Sequence, residues 1–254
     1  MIPGICCVPV SPMRAEPSHR SEMVSQQLFG EQCVVSEKGK DNWIKICCNY
    51  DQYEGWCQEG QVLMLDAPIE SSVMLTGEWE NEIGFNGVPM RIPFGCQLPG
   101  LLDGKVNWAG QLITFGGTLI NPASMNFEEE KIREIGFPFV NTGYLWGGKS
   151  IFGIDCSGFC QTVYKFFNKP ILRDASQQAT QGEIVGFLQE ARCGDLAFFD
   201  NAEGRITHVG IMLNEGEILH SSVKVRIDPI DNMGIINRDT GERTHKLRII
   251  KRYF

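Results

Sequence analysis

Cys156, His208 and His220 are the side chains of this sequence best suited to break a bond. Cys156 closes a glycine-rich approach, Tyr144-Leu-Trp-Gly-Gly-Lys-Ser-Ile-Phe-Gly-Ile-Asp-Cys, and Ser157-Gly158-Phe159-Cys160 run on into a helical pattern. That spacing puts one thiol in the first turn of a helix. Unpaired N–H groups and the positive end of the helix dipole lie there, so a depressed thiol pKa is expected. The chain has four histidines, His19, His208, His220 and His245. His208 and His220 flank Asn214-Glu215-Gly216. If those three residues make a turn with a left-handed Gly216, Leu213 pairs with Glu217 and Gly210 with His220. His208 then becomes the diagonal neighbour of His220 on one sheet face. A two-residue turn would put the two rings on opposite faces. A thiol, a base and a group that orients the base make a nucleophilic triad. Cys156 would attack, His208 would carry the proton, and His220 would fix its tautomer. Spacing alone leaves open a second reading, two structural histidines satisfied by backbone partners.

These residues need a helix start and a β-meander to hold them. Phe159, Cys160, Val163, Phe166 and Phe167 share one face of a helix over residues 156–167. Asn126-Phe-Glu-Glu-Glu-Lys-Ile-Arg-Glu-Ile reads as an earlier helix capped by Asn126. Strands follow at residues 194–199, 206–213, 217–222, 225–230 and 247–253. Before the composition shift at Asn121-Pro122, short β-rich runs are separated by Gly, Asp, Asn and Lys turns, in two sets. The expected organisation is α+β: helices packed on an antiparallel sheet over 123–254, preceded by small β-barrels over 1–65 and 66–122.

Bulk properties exclude several classes of function. A formal charge of −8, with no basic run, argues against nucleic acid and anionic membranes. No apolar stretch reaches membrane-spanning length, and no secretory leader is visible. Ten cysteines without a Cys-x-x-Cys pair point to buried free thiols in a reducing, cytoplasmic setting rather than to zinc. A disulfide framework in an exported protein, with its leader trimmed, is the rival reading.

Several segments occur in a telling order: Tyr144-x-Trp-Gly-Gly, Asp155-Cys-Ser-Gly-Phe, Arg173-Asp-x-Ser-Gln-Gln178, Gly194-Asp-Leu-x-Phe-Phe199, Thr207-His-Val-Gly-Ile211 and Leu219-His-Ser221. Over residues 125–254 the chain resembles the NlpC-type cysteine peptidases of bacterial cell-wall peptides. The resemblance implies a papain-like domain and a Cys-His-His triad at Cys156, His208 and His220. The Arg173–Gln178 segment resembles the γ-D-glutamyl-L-diamino acid endopeptidases that carry N-terminal SH3-like domains. By that likeness Asp174 helps hold the free amine of an N-terminal L-Ala, with Arg173 and Ser176 in the same motif. Members of that subgroup have Ser after this Asp; here Ala175 removes one polar contact. Asp174 also stands where a helix N-cap would. Tyr144 is placed beside the thiol, and the Ser157 hydroxyl near the oxyanion. Glu22 and Tyr53 resemble the first-barrel residues that close the amine end of the substrate groove; surface polar residues on β loops would look the same.

The resemblance thus implies an endopeptidase that cuts free murein tri- or tetrapeptides between γ-D-Glu and meso-diaminopimelate or L-Lys. It implies no metal or organic cofactor, and a monomer is expected. A muropeptide-binding module without turnover, or an acyl transferase on the same core, are the alternatives.

Overall fold

The computed structural model describes residues 1–254, and its contacts divide the chain into two units. The first holds Met1–Ala123 together with Trp146–Ile151; the second holds Ser124–Leu145 and Phe152–Phe254.

The first unit is built of short strands. β1 (Ile2–Cys6), β2 (Val10–Arg14), β3 (Met23–Leu28), β4 (Gln32–Lys38), β5 (Trp43–Cys48), β6 (Glu54–Gln58) and β7 (Val62–Met64) form one sheet in the order β3-β2-β6-β5-β4-β1-β7. Alternation is clear in β5, where Ile44, Ile46 and Cys48 turn inward beside Met13, Cys33 and Cys57. β8 (Leu75–Thr76) pairs with β13 (Leu119–Ile120). Between them β9 (Glu80–Phe85), β10 (Val88–Pro93), β11 (Lys105–Trp108) and β12 (Gln111–Thr114) form a four-stranded sheet. The two sets share a core in which Ile5, Leu28 and Phe29 pack with Ile83, Ile92, Trp108 and Ile113. Gly30 permits this close approach. Its φ is +77°, and a Cβ there would fall 1.7 Å from the Gln97 carbonyl oxygen. β14 (Lys149–Ser150) belongs to this unit as well, and Gly147 brings its segment onto β3, with room for no Cβ against the Met23 carbonyl at 2.4 Å.

The second unit is a sheet with helices. Its elements are α1 (Glu129–Gly136), β15 (Gly153–Ile154), α2 (Cys156–Lys165), α3 (Ala175–Gln178), β16 (Glu183–Val185), β17 (Leu196–Asp200), β18 (Ile206–Asn214), β19 (Glu217–Ser222), β20 (Lys224–Asp231), β21 (Gly234–Ile236) and β22 (Arg243–Arg252). The sheet runs β16-β22-β17-β18-β19-β20-β21, and β21 pairs again with β22. Six antiparallel strands therefore close on themselves. Met212, Ile218, Ile230, Ile235 and Phe199 form one core of this unit. α2 packs against β18 and β19 and is buried along its whole length.

Two local expectations fail. α1 starts at Glu129 with Glu128 at its N-cap, and Asn126 lies ahead of it, its carbonyl accepting from the Glu128 N–H at 3.0 Å. The turn after β18 has two residues: Asn214 pairs with Glu217 across Glu215-Gly216, and Gly216 is not left-handed. A bulge at Leu213 supplies the extra residue, so Gly210 still pairs with His220. The expected Gly210–His220 pair is present, whereas the expected Leu213–Glu217 pair is replaced by Asn214–Glu217.

Candidate active site

The start of α2 is fixed from behind the nucleophile. Asp155 is the N-cap, and its Oδ1 accepts the Gly158 N–H at 2.6 Å. Its carboxylate is gripped by Arg173, Nη2 to Oδ2 at 2.6 Å and Nη1 to Oδ1 at 3.1 Å. Nη1 also donates to Ser157 Oγ at 2.9 Å. Arg173 is 1% exposed, so its fork belongs to the interior, where a two-pronged ion pair holds the carboxylate far better than a point charge would. The Ser157 hydroxyl is committed to the same cluster. Gln178 Nε2 donates to the Ser157 carbonyl at 3.1 Å and to that of Leu172 at 2.8 Å, tying the Arg173–Gln178 segment to the helix start.

Cys156 is 5% exposed, and the Val209 N–H, next in chain to His208, is a hydrogen-bond donor to its sulfur. Burial pushes the thiol up to about 12, and the Asp155 charge adds to the rise. Val209 N–H, Arg173 and Ser157 N–H pull the other way. The expected depression by the helix start is therefore overturned: desolvation is the larger effect, because the site excludes the water that would solvate a thiolate.

The imidazoles lie on the closed sheet. His208 Nε2 meets His220 Nδ1 at 2.8 Å, and His220 Nε2 meets Asp228 Oδ2 at 3.0 Å. With His208 and His220 6% and 1% exposed, burial holds both pKa values below the usual imidazole value, that of His208 well below. The neighbouring His220 and His245 lower His208 further, whereas Asp228 works against the depression of His220. At neutral pH the site thus holds a neutral thiol and neutral imidazoles. His208 uses Nε2 toward His220, which leaves Nδ1 as its other ring nitrogen.

Two members of this cluster had no sequence signal. Asp228 is the diagonal neighbour of His220, since Arg226 stands opposite that ring in the register. His245 stacks on His208, with ring centroids 4.1 Å apart and planes inclined by 27°. His245 lines a pocket of about 240 Å³ with Tyr144, Thr207, His208 and Ser221. Tyr144 is half-buried; burial, and then the charges of Cys156 and Asp155, raise its phenol pKa. Val223 lines the same pocket at a φ of +63°, a strained setting for a β-branched residue, and its carbonyl accepts the Tyr144 N–H at 2.9 Å.

The remaining candidates divide by unit. Asp174 caps α3 in a capping box with Gln177, whose Oε1 accepts the Asp174 N–H at 3.2 Å. Ser176 is exposed on α3. Glu22 and Tyr53 lie in the first unit. There Glu22 is exposed and accepts from the Trp146 indole Nε1 at 2.6 Å, while Tyr53 is half-buried against the core of the first sheet.

Comparison with known proteins decides the lineage. Residues 141–244 match the NlpC/P60 family, and residues 13–62 match the bacterial dipeptidyl-peptidase SH3 domain. A γ-D-glutamyl-L-lysine dipeptidyl-peptidase of Bacillus subtilis (strain 168) is 31% identical across 78% of this chain and 71% of its own length. The chain belongs to the NlpC/P60 family. A second γ-D-glutamyl-L-lysine dipeptidyl-peptidase, from Bacillus cereus (strain ATCC 10987 / NRS 248), is 26% identical across 90% of this chain and 77% of its own. Among solved structures, an NlpC/P60 family protein from Bacillus cereus ATCC 10987 superposes with a TM-score of 0.82 at 20% identity, covering 99% of each chain. That likeness shows the fold. NlpC/P60 membership makes the protein a peptidoglycan-peptide hydrolase by family, with an SH3-like domain at its N-terminal end.

Proposed function

We propose that this NlpC/P60 protein is a papain-like cysteine endopeptidase that hydrolyses the bond between γ-D-glutamate and a diamino acid in free murein peptides. The observation that carries this is a buried thiol in the first turn of α2 that takes the Val209 N–H, with His208, the residue before Val209, joined to His220 at 2.8 Å. The names of the relatives at 26–31% identity support the bond and the γ-D-glutamyl side. In this reading Cys156 attacks the γ-glutamyl carbonyl carbon while its proton moves to His208 Nδ1. The tetrahedral adduct collapses as His208 gives that proton to the leaving amine, forming a thioester. Water, deprotonated by His208, then releases the γ-glutamyl acid and restores the thiol. The Cys156 backbone N–H at the helix start is suited to the oxyanion. Asp174 would pair with the ammonium of an unblocked N-terminal L-Ala, since an ammonium leaving water needs an anionic partner. Its place in the capping box fixes its position at the start of α3. All ten cysteines are free thiols, which supports a reducing compartment and a role in recycling released peptides.

The test uses L-Ala-γ-D-Glu-meso-diaminopimelate and its L-Lys counterpart, each with a free or acetylated amine, and product masses as readout. Wild type should release L-Ala-γ-D-Glu from the free peptides, and Cys156→Ala should release none. Binding without cleavage by wild type would replace the reading with a receptor. Asp174→Ala should slow the free peptides far more than the acetylated ones; equal losses would remove the amine-binding role.

A further inference from the structure

We infer that Asp228 is a positioning residue that sets the tautomers of both imidazoles in sequence and so decides which nitrogen of His208 is free to act as base. The inference deepens the peptidase reading and rests on it for its kinetic consequence, but not for its geometry.

The argument is one of donors and acceptors. Asp228 is 1% exposed and is held as an anion. Arg226 Nε stands 2.8 Å from its Oδ2, Arg226 Nη2 donates to Oδ1 at 2.9 Å, and the Arg238 backbone N–H donates to Oδ1 at 3.0 Å. Although burial alone would raise this carboxyl, His220, the Arg238 N–H and Arg226 together bring it down to about 2. Arg226 is itself pinned by Asn237 at 3.1 Å and Asp239 at 2.9 Å. A carboxylate anion can only accept a hydrogen bond. The 3.0 Å contact to His220 Nε2 therefore requires the proton on that nitrogen. A neutral imidazole carries one proton, so His220 Nδ1 must be a lone pair. That lone pair faces His208 Nε2 at 2.8 Å, which must then be the donor. His208 in turn has its lone pair on Nδ1. One buried charge thus selects a single state of a two-ring chain, and the selected state leaves Nδ1 basic. When Nδ1 takes the thiol proton, the positive charge on His208 faces a polarised ring backed by an anion.

The alternative state makes the point sharper. If His220 carried its proton on Nδ1, a bare Nε2 lone pair would face the carboxylate, and His208 would be driven to hold its proton on Nδ1. The thiol would then meet a donor and have no base. Asn in place of Asp228 allows this inversion, because its amide NH₂ can donate to His220 Nε2.

Nitrogen-15 NMR of the histidine rings in the full-length protein at neutral pH tests the inference without turnover. In wild type, His208 and His220 should both show protonated Nε2 and pyridine-type Nδ1; a proton on Nδ1 of either ring overturns it. In Asp228→Asn the His208 proton should move to Nδ1. On a murein tripeptide kcat should fall by roughly 10- to 10⁴-fold with KM little changed, the range spanned by lost orienting groups and wrong-tautomer variants. A fall in kcat with the wild-type tautomers retained would reduce Asp228 to a structural carboxylate and overturn the inference. If Asp228→Asn does not fold, the wild-type spectrum alone decides. A wild type that shows the expected tautomers but cleaves no murein peptide would refute the peptidase reading and leave the relay standing.

Discussion

At the residue scale the site is governed by desolvation. A helix start favours a thiolate, but Cys156 at 5% exposure has lost the solvent that would share in stabilising that charge, and its pKa rises to about 12. The consequence is measurable as alkylation. Between pH 7 and 10 the rate of iodoacetamide addition to Cys156, followed by peptide mass spectrometry, should climb about tenfold per pH unit, as for any thiol below its pKa. A plateau reached by pH 7 would show a preformed thiolate and contradict the neutral pair. Cys156, His208 and His220 were legible in the sequence because each sits in a short motif whose chemistry is local. The direction of the thiol shift was not, because burial is set by α2 lying against β18 and β19, which no local motif encodes. Asp228 lies in Arg226-Ile-Asp-Pro-Ile-Asp231, a plain alternating strand. His245, near the start of the last strand, acquires meaning only when the sheet closes and stacks it on His208.

At the element scale the β18–β19 hairpin carries the geometry. Its turn was misread, yet the bulge at Leu213 restores the pairing of Gly210 with His220. Side chains alternate, so a turn error normally flips a whole strand; here the extra residue cancels it. Gly210 then has a specific duty. A Cβ at this position would lie 2.7 Å from His220 Cβ and 2.7 Å from Ile218 Cδ1. Ile218, whose Cγ1 would lie at 2.9 Å, is fully buried and has little room to yield, and His220 is pinned by Asp228 and His208. Gly210→Ala should therefore push the ring off its 2.8 Å contact with His208. Misalignment of an orienting group costs about 10- to 100-fold in activity, while overpacking costs about 1–3 kcal/mol in stability. Urea unfolding together with kcat/KM would separate the two. Activity falling no more than tenfold would mean that the ring tolerates displacement and that the register is not what holds the dyad.

At the scale of the whole molecule, each unit has its own logic. In the first, Phe29 and Trp108 belong to one core with rings 5.2 Å apart, which joins the two sets of strands that composition presented as separate barrels. Sequence periodicity reports which face of a strand is buried, and it cannot report what that face is buried against. In the second unit the sheet closes around groups that must stay neutral. His208 and His220 have depressed pKa values, and His245 is lowered to about 4, in each case chiefly through burial. The unfolded chain binds protons on these rings from about pH 6.5 downward, whereas the folded chain refuses them until lower pH. Unfolded protein therefore holds more protons in that window, and stability falls as pH drops from about 6.5, by up to ~1.4 kcal/mol per pH unit for each ring. Asp228, lowered to about 2, loses its contribution only below its ordinary value near 4, so it does not blur the window between pH 6.5 and 5. Replacing His245 by Phe keeps a flat ring against His208 but removes one proton site. Urea unfolding of wild type and His245→Phe at pH 7, 6 and 5 should show a shallower acid slope in the variant, by up to one proton's worth. Equal slopes would mean that His245 titrates alike in the folded and unfolded chain, and that the stacked imidazole is not kept neutral by the fold.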